Sequence, residues 1–179
     1  MYTRWYANLA KITKNTNIDT IFLVWNFKSK NSSKSWKNIP KHGGGLINFY
    51  GTHILALMSS LKFTKCKMSL IKKKNNKQVF WNSEFKNKKN IKFNIKINIE
   101  SSLENFDISY ILKNDNKVIK QYKDQDPFGK KNNKFLDHRV KILKKYLSED
   151  KNFVRRKSIY LNVIKLWEKV DMITKSLKI

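Results

Sequence analysis

Cysteine is almost absent: Cys66 stands alone among 179 residues. An intramolecular disulfide is therefore excluded, and no group of cysteine and histidine has the spacing of a zinc site. A single thiol suits a reducing interior, so a cytoplasmic location is expected. No apolar run approaches the ~20 residues of a membrane-spanning helix, and the N-terminus lacks the apolar stretch of a secretory signal. The first 17 residues are basic and free of acid, in the manner of a mitochondrial presequence, but an ordinary first helix accounts for them as well. Arginine is scarce too. Arg4, Arg139, Arg155 and Arg156 stand against 35 lysines, whereas specific recognition of bases and phosphates favours the planar guanidinium fork. Internal repeats are missing.

What is abundant is positive charge. Lys and Arg number 39 against 13 Asp and Glu, a formal net charge of +26, and such an excess can neutralise phosphates and release their counterions. The lysines are nevertheless spread through every segment and accompanied by 21 asparagines. That mixture is expected where an AT-rich genome supplies Lys, Asn and Ile codons at each tolerant surface position, and a dedicated nucleic-acid surface is the lesser alternative. Hydrophobic residues at 40% and aromatics at 13% are too many for a disordered chain even at this charge. A chain of this length suits one core, so a single domain over residues 1–179 is expected.

The apolar pattern divides the chain. Trp5, Leu9 and Ile12 at helical spacing predict a helix over 3–14, stopped by the polar NTN. IDTIFLVWNFKS, 18–29, is β-branched, aromatic and continuous, as in a buried central strand. A polar loop carrying Trp36 and Pro40 leads to a helix over about 44–61 that is apolar on more than one face. Segments 66–72, 78–85, 91–99, 106–113 and 117–123 read as successive strands. Ile91, Phe93, Ile95, Ile97 and Ile99 alternate with polar residues, so that strand has one buried and one polar face. The Lys-rich tracts 71–77 and 85–92 read as turns, and KNDNK between Leu112 and Val118 is hairpin chemistry, since Asn and Asp tolerate positive φ. Segments 135–147 and 158–177 read as closing helices. This order predicts an α+β fold: an open, mainly antiparallel sheet with helices packed on one face and the other face partly open to a second copy.

Four of the five glycines lie in KHGGGLINFYGTHILALMSS, residues 41–60. Glycines directly before a helix let backbone pass close to another surface, with first-turn amides facing what lies there. Gly51 inside the helix costs up to ~1 kcal/mol relative to Ala, so a close approach should offset it. A histidine within an apolar helix, His53, is commonly a hydrogen-bonded core or boundary residue, and it is also a residue suited to proton transfer near neutral pH.

The sequence LVWNFKSK, the tryptophan loop SKSWKN, then HGGGLINFYGTHILAL, a meander and a closing helix pair together resemble a known family. The resemblance is to the C-terminal, substrate-binding domain of the glucose-fructose oxidoreductase, inositol dehydrogenase and MocA family of NAD(P)-dependent oxidoreductases, and it covers most of the chain. It implies His53 as the residue beside the substrate hydroxyl in proton transfer, and Gly44, Gly45, Trp36 and Asn48 as the lining of a site for a sugar-like molecule. Typical members carry aspartate four residues before this histidine, where this chain has Phe49. Phenylalanine can neither orient the imidazole nor hydrogen-bond a sugar, and Asn48 points ~100° away around the helix.

The family's cofactor domain carries GxGxxG and a catalytic lysine in Glu-Lys-Pro, and neither occurs in these 179 residues. The resemblance thus implies the substrate-binding and oligomerisation half of a sugar or polyol oxidoreductase, with NAD or NADP held only by a separate Rossmann-type partner chain. The isolated chain is expected to bind no NAD(P)H and to transfer no hydride. Two other readings stay open: a Lys-rich ribosomal or RNA-associated protein, and a non-catalytic dimerisation scaffold.

Overall fold

A computed structural model describes residues 4–14, 17–27, 43–99, 107–124 and 153–179. Its centre is a seven-stranded open sheet: β1 Thr20–Phe27, β2 Phe63–Lys74, β3 Lys77–Asn87, β4 Lys92–Ile99, β5 Asp107–Asn114, β6 Lys117–Asp124 and β7 Thr174–Lys178. Their spatial order is β6-β5-β1-β4-β3-β2-β7. Four neighbouring pairs are antiparallel, and two, β1 with β4 and β2 with β7, are parallel.

The period-two pattern sets the faces. Ile21, Leu23 and Trp25 of β1 are buried, as are Phe93, Ile95 and Ile97 of β4 and Trp81, Ser83 and Phe85 of β3. Register aligns them in rows, with Trp81 opposite Ile97 and Phe85 opposite Phe93. The helices supply the other half of the core: Leu9 of α1 (Arg4–Ile12), Leu46 and Ile47 of a π-helical turn (Leu46–Gly51), four residues of α2 (Thr52–Ser60), and Leu166 and Val170 of α3 (Phe153–Ile173). The opposite sheet face carries Phe22, Val24, Asn94, Lys96, Ile111 and Lys113 around a shallow groove of about 220 Å³. An α+β fold, an open and mainly antiparallel sheet with helices on one face, is therefore what the chain forms.

Two hairpins turn on residues in the left-handed region, Asn75 and Asn76 (φ 49° and 60°), and Asp115 and Asn116 (φ 48° and 64°). Paired positive φ gives the twist that tight hairpins require. The lysine tract at 71–77 is thus mostly strand, with only its two asparagines in the turn.

The helix expected over 158–177 ends at Ile173, and the last residues form β7 instead. The Thr174 hydroxyl donates back to the Val170 carbonyl, which completes the helix end, while the free edge of β2 accepts TKSLK as a parallel neighbour. The expected helix over 135–147 lies outside the described residues.

Candidate functional site

The glycine turn is a backbone device. Gly43 and Gly45 have φ of 77° and 92°, values that side chains disfavour. Gly44 and Gly45 are both buried. The helix then opens with the Leu46 amide donating to Gln78 Oε1 of β3 at 2.6 Å, so the first amide of the turn is satisfied within the protein. The first turn winds as a π-helix, a geometry frequent at functional sites.

Gly51 answers to packing. Its backbone is ordinary helix, φ −62°, but a Cβ there would lie 3.2 Å from Trp81 Cζ3 and 3.5 Å from the Leu46 carbonyl oxygen. The close approach read from the sequence is made by an indole of β3, and neither a substrate nor a cofactor is needed to account for it.

His53 is exposed, and no protein group hydrogen-bonds its imidazole among the described residues. The core position open to it in the sequence reading is therefore not the one it takes. Its ring belongs to a closed circuit of four. Trp25 of β1 lies 6.4 Å from His53 and 6.1 Å from Tyr50, and Phe49 lies 6.5 Å from His53 and 4.8 Å from Tyr50, all edge to face. Packing against these rings withdraws water from the imidazole and lowers its pKa below the ordinary 6.5. Because the side chain is exposed, this is a local effect and not that of a dry pocket. Asn48 is half-buried beside the circuit in sequence, and Trp36 lies outside the described residues.

The sequence reading did not single out Trp25 and Tyr50 as members of the site. Only the pairing of β1 into the sheet carries Trp25 under the helix. The end of β1 is held by a polar ladder on the opposite face: Asn98 Nδ2 donates to Asn26 Oδ1 at 2.5 Å, Asn26 Nδ2 donates to Asp107 Oδ1 at 2.8 Å, and Lys123 Nζ lies 3.4 Å from Asp107 Oδ2. This ladder spans β4, β1, β5 and β6 and fixes the strand that carries Trp25.

Other chemistry is thin among the described residues. No group of three His, Cys, Asp or Glu side chains could hold a metal ion there. Burial pushes the Cys66 thiol up to about 12, far from the range of a reactive thiolate. No described helix is long and apolar enough to cross a membrane.

No protein-family description and no curated protein matches the sequence. Solved structures match the fold. The chain is similar to a protein from Erwinia carotovora atroseptica assigned as an oxidoreductase, with a TM-score of 0.61 and 8% identity over 97% of this chain and 60% of that one. It is also similar to KijD10, a 3-ketoreductase from Actinomadura kijaniata in complex with NADP and TDP-benzene. There the TM-score is 0.59 at 7% identity, over 98% of this chain and 60% of that one. At such identity the likeness is one of fold, and the chain spans about 60% of the length of these structures.

Proposed function

We propose that this chain is the substrate-binding and oligomerisation half of an NAD(P)-dependent sugar or polyol oxidoreductase of the glucose-fructose oxidoreductase, inositol dehydrogenase and MocA type. The observation that carries the reading is the fold match over nearly the whole chain to part of two oxidoreductases. The exposed imidazole of His53 on an aromatic wall supports it at the level of the site. The glycine-rich turn spends its first helical amide on Gln78, which supports leaving the dinucleotide to another domain. The cofactor therefore belongs to a separate Rossmann-type domain, and this chain's part is to seat a sugar-like substrate and move a proton at its hydroxyl.

In this reading His53 exchanges a proton with the substrate hydroxyl, and Gly44, Gly45, Trp36 and Asn48 are the residues proposed to bind the sugar. A base works only while deprotonated, and the His53 pKa lies below 6.5. Activity should therefore be full at neutral pH and fall on acidification through a midpoint under that value. The test pairs the chain with a domain carrying GxGxxG and Glu-Lys-Pro and follows NAD(P)H across a sugar and polyol panel. His53→Ala should lower turnover ~10²–10⁴-fold while leaving the melting temperature nearly unchanged. Turnover insensitive to His53→Ala would remove it from the site.

A further inference from the structure

Lysines that are spread along the sequence are gathered into a line by the strand register. On the open sheet face, at the end where β1 begins, Lys113 stands opposite Thr20, Thr20 opposite Lys92, Lys92 opposite Lys86 and Lys86 opposite Lys65. Their strand neighbours Leu112, Ile21, Phe93 and Phe85 are buried on the helix side, so the five residues share the other face. The line crosses β5, β1, β4, β3 and β2, a span of ~19 Å at ~4.8 Å between strands. Two of its steps, Lys92 with Lys86 and Lys86 with Lys65, set like charges directly opposite each other, which destabilises a sheet. None of the four ammonium groups is in an ion pair among the described residues. The Asp19 carboxylate, next to Thr20, is engaged first by the Thr20 hydroxyl and then by the Asp115 amide, with Lys92 a lesser influence. Glu84, two residues from Lys86, faces Asn94 and Met68.

Beside this line lies an aromatic ring. Phe22, two residues from Thr20 on the same face, is half-buried with the Lys113 ammonium 5.2 Å over its ring. Cations in a line next to an aromatic face are the chemistry that holds single-stranded nucleic acid, since phosphates follow the charges and a base stacks on the ring. A duplex keeps its base faces stacked internally, and an acidic polypeptide has no planar base to lay on Phe22. Such binding is tolerant of sequence and needs no guanidinium fork, which reconciles four arginines with 35 lysines. We propose that Lys65, Lys86, Lys92 and Lys113, with Phe22, bind a single strand of nucleic acid without regard to its sequence. The site lies across the sheet from His53 and Trp25, so it does not depend on the sugar reading. A strand and a second copy of the chain would use the same face, and salt divides them, because low ionic strength favours phosphate contacts and holds like-charged copies apart.

The full 179-residue chain is titrated into a fluorescein-labelled oligouridylate of ~12 nucleotides over a range of salt concentrations, with anisotropy as the readout. Replacing Lys65, Lys86 and Lys92 together by Ala removes three phosphate contacts, so the slope of log affinity against log salt should flatten by ~2, and affinity at ~0.1 M salt should fall ~10-fold or more. Replacing Lys120, Lys157 and Lys165, which are exposed off the line, removes the same charge and should change both far less. Phe22→Leu should weaken binding ~5-fold or more with the slope kept. Circular dichroism reports whether each variant is folded, and Lys86→Gln alone, expected to flatten the slope by ~0.7, keeps the test informative if the triple variant unfolds. Equal losses in the two triple variants would overturn the line of lysines as the site. Polyglutamate or a duplex competing as well as the unlabelled oligouridylate, or Phe22→Leu binding as tightly as the unaltered chain, would overturn the single strand as its occupant.

Discussion

At the scale of single residues, Gly51 shows how packing can outweigh propensity. Alanine is the better helix former by up to ~1 kcal/mol, and Gly51 has ordinary helical angles, so propensity alone favours the change. The added methyl meets Trp81 Cζ3 at 3.2 Å, and Trp81 cannot easily yield. It is fully buried, and its indole N–H donates to Ser69 Oγ at 2.9 Å. Overpacking against a pinned ring costs ~1–3 kcal/mol, which exceeds the propensity gain. Gly51→Ala should therefore destabilise the chain by ~1–2 kcal/mol, a fall of roughly 2–8 °C in melting temperature at this size. An unchanged or higher melting temperature would mean that Trp81 moves freely and that the glycine serves something other than this contact. The same comparison separates Gly51 from Gly45, whose φ of 92° is what demands glycine.

At the scale of elements, β7 exists because of a buried relay. Trp81 donates to Ser69, and the Thr174 hydroxyl donates to Val170, so the 2.7 Å bond between Ser69 and Thr174 takes its proton from Ser69. Four elements, β3, β2, β7 and α3, are thereby tied in sequence. Ser69→Ala removes the centre of this chain and leaves a buried indole N–H without an acceptor, at a cost of ~1–3 kcal/mol. Amide exchange in Thr174–Lys178 should accelerate with it, and a Ser69→Ala, Thr174→Val cycle should show coupling of ~0.5–3 kcal/mol. Additive effects would break the relay into independent bonds. None of this could be read from TKSLK, which continues the helical spacing before it. Its strand pairing is a long-range bond to β2. The meander strands were legible, because one buried face imposes strict alternation on residues 91–99. The parallel pairing of β1 with β4 was not, since no local pattern reports which strand will lie beside a continuous apolar run. The exposure of His53 was equally hidden, because LINFYGTHILALM is apolar on more than one helical face and the sequence does not say which side the sheet leaves bare.

At the scale of the molecule, the open sheet face is the surface proposed for pairing two copies, and its chemistry contains two opposed effects. Phe22, Val24 and Ile111 offer an apolar centre, while Lys96 and Lys113 border it and the chain as a whole carries +26. The Lys113 ammonium lies 5.2 Å over the Phe22 ring, so some charge sits on the apolar surface itself. Facing two such surfaces buries hydrocarbon, which salt strengthens or leaves unchanged, but it also opposes like charges, which salt screens. At ~0.01 M ionic strength the screening length is about 30 Å and repulsion acts across the entire face; at 0.15 M it is about 8 Å. Pairing should therefore grow as salt rises, the reverse of an interface held by opposite charges. Sedimentation across that range should show monomer giving way to dimer, and Val24→Lys should keep the chain monomeric at every salt. Dimer that dissociates with rising salt would place the interface on some other, charge-complementary surface. Monomer throughout would remove pairing through this face, and a salt-sensitive complex formed only with added RNA would assign the lysines to phosphate instead.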